Sequence, residues 1–266
     1  MKKLLSGILV LPFLMGTQCI PGEIEVPYEQ ETPELTIDLA SQVKAFEDGI
    51  NNGSDTHNQA VLAALCATEA SRNCSPPSLP ASIPRQIPDP ENTSQNIDVA
   101  TWLEGVPGFD KLKNVNEAVV FSLGEEIGVE KPDQVKKVTI DAVTVQFSSN
   151  TLTYAVPPTD VYSGSGVSQA DTEDADALLT DSRMSKFGTL AEIPAGDTQA
   201  HPMDLDASGK EAFAQSLGQL DVALLVHTAV AFPPSGSAPI PKPDGVGKVK
   251  AKIKAVFTIS TDFGIF

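Results

Sequence analysis

Cationic side chains are scarce: 18 lysines and arginines stand against 35 aspartates and glutamates, for a formal charge of -17. A field of that sign repels phosphate backbones and argues against nucleic acid as a partner. Histidine is scarcer still. His57, His201 and His227 form neither an HExxH pattern nor a close pair, so local spacing predicts no metal site. No P-loop or dinucleotide fingerprint is present, and no cofactor is expected. The SGSG run from Ser163 has the residue types of a GxSxG nucleophile elbow in the wrong order. Beyond the N-terminus no apolar run reaches the ~18 residues that a membrane-crossing helix requires.

What is present is an ordinary globular composition, 41% hydrophobic and 20% charged, in 266 residues that can bury one substantial core or two small ones. Lys2 and Lys3 precede an apolar segment, Leu4 to Met15, of about a dozen residues, the pattern of a secretory signal, so the chain is expected to be exported. The segment runs into Met15-Gly16-Thr17-Gln18-Cys19. That box resembles the bacterial lipoprotein signal, with Gln18 standing where the family has Gly, Ala or Ser. The resemblance covers the first 19 residues. It implies acylation of Cys19, attachment to a membrane through the lipid, and, with Ile20 following the cysteine, sorting to the outer membrane, facing the periplasm or the cell surface. Ordinary cleavage nearby would instead release a soluble secreted protein.

Three cysteines are an odd number for an exported chain. Pairing Cys66 with Cys74, eight positions away, leaves Cys19 for the lipid. In one continuous helix those two Cα atoms would lie ~12 Å apart, beyond the ~7 Å reach of a disulfide. A bridge therefore requires the helix to stop early, and Ser71-Arg72-Asn73 followed by Pro76-Pro77 supplies the stop. The alternative is two unpaired thiols, with Cys66 as a small core residue.

The organisation reads as a signal peptide over 1–18, an acidic, proline-punctuated tether over 19–34, a helical segment with a proline-rich connector over 35–95, and a β-sandwich over 96–266. Leu35 to Leu39 alternates as a first strand. Val43, Phe46 and Ile50 recur at helical spacing after Ser41, a candidate N-cap, and NQAVLAALCATEA supplies a second helix. Prolines from Pro76 to Pro90 exclude a central strand there. In VKKVTIDAVTVQF the apolar parity switches near Ala142, which predicts a bulge or a change of sheets, and TLTYAV is the expected hairpin partner. DVALLVHTAVAF is apolar on both faces and reads as a central strand, with His227 as a hydrogen-bonded core residue. VKAKIKAVFTIS alternates Val249, Ala251, Ile253, Ala255 and Phe257 with a lysine stripe. The fold class is mainly β (α+β): an antiparallel β-sandwich with a small N-terminal helical pair. IPAG at Ile193 and the short helix expected in GKEAFAQSLG resemble the immunoglobulin-like sandwich of late-embryogenesis-abundant proteins, a resemblance over 135–260 that favours a sandwich over a closed barrel.

Lys248, Lys250, Lys252 and Lys254 are the most uneven use of charge. They could meet an anionic headgroup or polyanion, or guard a strand from unwanted pairing. DGINNGSDTHNQ carries EF-hand-like residues, with Ile50 at the third place and Gln59 at the twelfth, and reads as a helix–turn–helix connection. ADTEDADALLTD reads as a solvated acidic loop. No catalytic constellation emerges. The expectation is a non-catalytic binding or structural module of the cell envelope with an unidentified envelope or extracellular partner. The alternatives are an envelope glycan hydrolase with paired carboxylates and a lipid carrier with an apolar cavity.

Overall fold

Alternation of apolar residues with charge organises most of this molecule into strands. The computed structural model describes residues 22–70 and 72–260, so the expected signal segment and Cys19 lie outside the described residues. The first part of the chain forms β1 (Glu23–Glu31), β2 (Leu35–Asp38), α1 (Leu39–Asn52), α2 (Thr56–Cys66), short strands β3 (Ser82–Ile83), β4 (Gln86–Pro88) and β5 (Asn96–Asp98), then α3 (Val99–Gly105) and α4 (Asp110–Lys113). The middle comprises β6 (Asn114–Ser122), α5 (Gly124–Ile127), β7 (Val135–Asn150), β8 (Thr159–Gly164), α6 (Ala175–Leu178) and β9 (Met184–Leu190). Last come β10 (Ala200–Asp204), α7 (Ala207–Gly218), β11 (Asp221–Ala229), β12 (Ile240–Pro241) and β13 (Val246–Ser260).

Nine strands form one antiparallel sheet in the order β1, β13, β7, β10, β9, β8, β11, β6, with β2 beside β1 on the same edge of β13. The sheet curls into two facing layers, and β10 belongs to both. Its first three residues pair with β7 and its last two with β9. Leu35, Val143, Phe147 and Ile253 from one layer meet Val161, Leu190 and Leu224 from the other around the same apolar interior. Opposite β10 the sheet's ends approach again, with Cα atoms of β2 and β6 within 8 Å. The chain is thus a mainly β protein, a sandwich made from one curled antiparallel sheet.

The strand chemistry follows the sequence patterns. β11 lies between β6 and β8, with Val222 and Leu224 in the main core and Ala223 and Leu225 in a second, smaller one. Both faces are buried, so neither can carry charge at little cost. In β7 the buried parity passes from Ile140 to Val143, and the register with β13 slips there, Lys254 facing Ala142 and Ala255 facing Ile140. The extra residue is a β-bulge, which re-aims the apolar side chains into the interior.

Three elements differ from expectation. Residues 23–31 of the expected tether are strand β1, hydrogen-bonded along β13 from Glu23 opposite Ser260 to Glu31 opposite Lys252. Acidic residues there complement the lysines of β13, which turns an apparently solvated segment into an edge strand. TLTYAV does not pair back on β7. Thr151 and Thr153 donate their N–H groups to Val246 and Asp244, and only Val156 bridges, to Ile193. The edge of β7 that a hairpin would use is taken by β13. Finally, α1 is capped by Asp38 rather than Ser41: its carboxylate accepts from the Ser41 N–H at 2.8 Å and from the Ser41 hydroxyl at 2.7 Å.

The helices α1 to α4 close one end of the sandwich and share its core, so the 35–95 segment is not a separate unit. Phe46, Phe109, Phe232 and Tyr154 form a chain of ring contacts there, 5.7 to 6.1 Å between centroids. Glu47, buried on α1, accepts from the Leu79 N–H at 2.8 Å and from Lys242 Nζ at 2.7 Å. That ion pair ties the proline-rich connector and the approach to β13 onto the helical cap.

Candidate functional site

The residues singled out from sequence fall in separate places. Cys66 and Cys74 form a disulfide, with Cα atoms 5.9 Å apart because α2 stops at Cys66. The lysine stripe faces β1. Lys248 lies 3.3 Å from Glu34, Lys250 3.4 Å from Glu31, and Lys252 and Lys254 2.5 and 3.2 Å from Glu29. Hydrogen bonds from Lys252 and Lys254 hold the Glu29 carboxyl below the usual carboxylate range. Glu34 is lowered first by Ser148 and then by Lys248. The stripe is therefore a cross-strand ladder whose charge is balanced within the fold.

The histidines do not converge. His57 lies 3.2 Å from Glu91, His201 lies 3.3 Å from Asp197, and His227 Nδ1 is 2.6 Å from Asn116 Oδ1. Among the described residues no group of three or more His, Cys, Asp or Glu is arranged to hold a metal.

His227 belongs to the best-formed polar site. It stands on β11 directly opposite Asn116 on β6, so both side chains leave the same face of the sheet. Over that face folds the 163–181 segment, whose apolar residues Val167 and Leu178 pack on Ala223 and Leu225. This packing seats α6, capped by Asp174, so that Asp176 accepts a hydrogen bond from Asn116 Nδ2. An ionised carboxylate can only accept, so the Asn116 amide must turn its N–H toward Asp176 and its oxygen toward His227. The imidazole then donates through Nδ1–H. A cleft of about 470 Å³ opens beside this Asp176–Asn116–His227 relay, with Asp110, Lys111 and Asn114 on its other side. Its polar groups are fixed by two strands and a helix, and they suit a small ligand with several hydroxyl or amine donors.

Comparison with known proteins assigns no family. No family model matches the chain, and no curated protein does. Among solved structures, a chain of Mud crab tombus-like virus is 11% identical, with 98% of this chain and 92% of that one covered, at a TM-score of 0.29. A chain of the Macrobrachium rosenbergii nodavirus is 9% identical, covering 98% of this chain and 60% of that one, at 0.28. Another, from a semi-empty particle of the giant freshwater prawn nodavirus, is 12% identical, with 98% and 94% covered, also at 0.28. Likeness at that level transfers neither fold nor role.

Two other features bear on function. The sandwich interior leaves a void of about 40 Å³, lined by side chains such as Phe147, Phe187 and Phe213. An acyl chain needs several hundred cubic ångströms, so this interior is packed against such a guest. Glu117, one residue from Asn116 but on the inner face of β6, lies half-buried near the seam with β2. Burial, reinforced by the charge of Asp38, pushes its carboxyl up to about 7. Asn116 and Glu117 escaped sequence reasoning, and Asp176, read there as part of a solvated acidic loop, instead accepts from Asn116. Asn116 is 111 residues from His227 and 60 from Asp176, so only the strand register reveals the relay.

Proposed function

We propose that this chain is an exported, non-catalytic binding module of the bacterial cell envelope, held at the outer membrane by a lipid on Cys19, with the Asp176–Asn116–His227 cleft as its ligand seat. The Cys66–Cys74 bridge carries the reading of export, because disulfides persist in oxidising compartments and are rare in the cytosol. The cleft supports binding: its lining holds acceptors, amides and one lysine, and no serine, threonine or cysteine nucleophile. A second reading is favoured by Asp110 and Asp176 in the same cleft, which could serve an envelope glycan hydrolase as acid and base.

Intact-mass spectrometry of the protein purified from a bacterial envelope tests the anchor. A mature start at Cys19 bearing a diacylglyceryl group, with a gain of about two daltons on reduction, is expected. A start elsewhere without lipid makes it a soluble secreted protein. Release of reducing sugar from envelope glycan by the wild-type chain, lost in Asp110→Asn and Asp176→Asn, would replace the binding reading with the hydrolase.

A further inference from the structure

Strand β7 has a stretch of edge that no strand covers among the described residues. One of its edges pairs with β13 over its whole length, but on the other β10 pairs only with Thr144–Gln146. The free stretch, Val135 to Asp141, is about 23 Å long at ~3.3 Å per residue. Where β10 leaves, α7 takes its place between β7 and β9, and a groove of about 790 Å³ runs between the free edge and the helix. Every residue from Val135 to Ile140 lines it, both parities alike. Alternate residues of a strand point to opposite faces, so lining by consecutive residues means that the backbone edge itself opens into the groove. The facing wall is one stripe of α7, with Lys210, Glu211, Gln215 and Gln219.

The charge in this groove is unlike that elsewhere. Lys44, Lys113, Lys186, Lys242 and the four lysines of β13 each lie within 4.0 Å of a carboxylate. Of the described lysines without such a partner, Lys111 lies in the His227 cleft and Lys131 lines neither cavity, while Lys136, Lys137 and Lys210 meet in this one groove, where Glu211 is the lone acid among the lining residues. In a chain of charge -17, three uncompensated cations beside unpaired backbone donors and acceptors make a surface with two complementary demands: negative charge and a main chain to pair with.

We propose that the free edge of β7 and the adjoining face of α7 form a docking groove for an acidic, extended peptide segment of a partner protein, which adds to the sheet as a strand. The main chain pairs with β7, and acidic side chains answer the charge of Lys136, Lys137 and Lys210. A lipid headgroup or a polyanion would satisfy the lysines but not the strand edge. This inference does not depend on a lipid at Cys19.

The test uses the folded, disulfide-bonded chain and fluorescent heptapeptides alternating glutamate with valine, isoleucine, threonine or phenylalanine, followed by anisotropy. Saturable binding is expected, weakened about tenfold or more by Lys137→Glu with Lys210→Glu and unchanged by Lys44→Glu, which alters net charge far from the groove. Hydrogen exchange of the β7 amides from Lys136 to Asp141 should slow on binding. Peptides N-methylated at alternate residues should not bind, because their strand-pairing donors are gone. Any of four results overturns the proposal: no saturable binding by ~1 mM, equal binding by the N-methylated peptides, equal displacement by inorganic polyphosphate and by unlabelled peptide without β7 protection, or indifference to the double charge reversal. A salt-sensitive dimer in sedimentation that the double variant abolishes would give the groove to a second copy instead.

Discussion

Two glycines in α7 give opposite answers to the same substitution. Gly209 lies in the first turn, its N–H donated to Asp206 Oδ1 at 2.6 Å. A Cβ there would stand 2.1 Å from the Phe187 carbonyl oxygen and 2.8 Å from its carbon. Both atoms are backbone, so helix and strand must separate, and the Phe187–Phe213 ring stack at 4.2 Å must open with them. Overpacking of this kind costs about 1–3 kcal/mol, while Gly→Ala returns at most ~1 kcal/mol of helix propensity. An approach this short to backbone belongs at the upper end of that range, so Gly209→Ala should destabilise the protein by about 2 kcal/mol. At Gly218 the nearest atom to a new Cβ is Val138 Cγ2 at 3.8 Å, an ordinary contact. There the backbone term acts unopposed, and Gly218→Ala should stabilise by about 0.4–1 kcal/mol. Urea melts should move in opposite directions, and thermal midpoints should shift by ~2–4 °C per kcal/mol. A Gly209→Ala protein as stable as the parent would refute the close approach of α7 to β9.

Opening the disulfide with Cys66→Ser and Cys74→Ser together should cost about 2–3 kcal/mol in the loop-entropy account, read as a lower melting temperature that the parent matches only when reduced. Glu117 titrates higher in the folded chain, at about 7, than its usual 4.5, so the folded state binds the extra proton between those values. Stability should fall as pH rises from about 4.5 to 7, and Glu117→Gln should flatten that part of the melting-temperature profile. Equal slopes in the two proteins would remove Glu117 as the cause. Asn116→Asp places a carboxylate against His227 Nδ1. The charge-assisted hydrogen bond should move the Nδ1 proton resonance downfield in NMR, whereas no change would mean that the relay is not formed in solution.

What could be read from the sequence was set by how local each pattern is. The two-faced apolar run of β11, the lysine alternation of β13 and the parity switch of β7 are carried within single segments, and burial follows them through Val222–Leu225, through most of β13 and across the β7 bulge, although Val226 and His227 are half-buried and Ala229 is exposed. That a helix must stop before Cys74 was legible from the reach of a disulfide, but the stop comes at Cys66, ahead of the expected Ser71-Arg72-Asn73 and out of reach of Pro76. β1 was not legible, since its glutamates have strand character only opposite lysines 219 or more positions away. The N-cap at Asp38 was missed because it is also the last residue of β2, and a strand residue does not announce that its carboxylate will turn to the next helix. The polar cleft depends on which residue of β6 faces His227, and pairing between distant strands has no local signature.

The placement of β13 has a consequence for how this protein comes to exist in the cell. It is the last of the described strands, yet it supplies the partner of β1, β2 and the whole of β7. While a ribosome is still making the residues before Val246, half of the curled sheet lacks its centre, and those early strands have nothing to zip onto. Completion must wait for nearly the full described chain, as loop-closure entropy demands of so distant a pairing. A newly made chain thereby carries β1, β2 and β7 without their shared partner until β13 is made. A version truncated before Val246 should accumulate as a protease-sensitive, aggregation-prone species, whatever the quality of its remaining core.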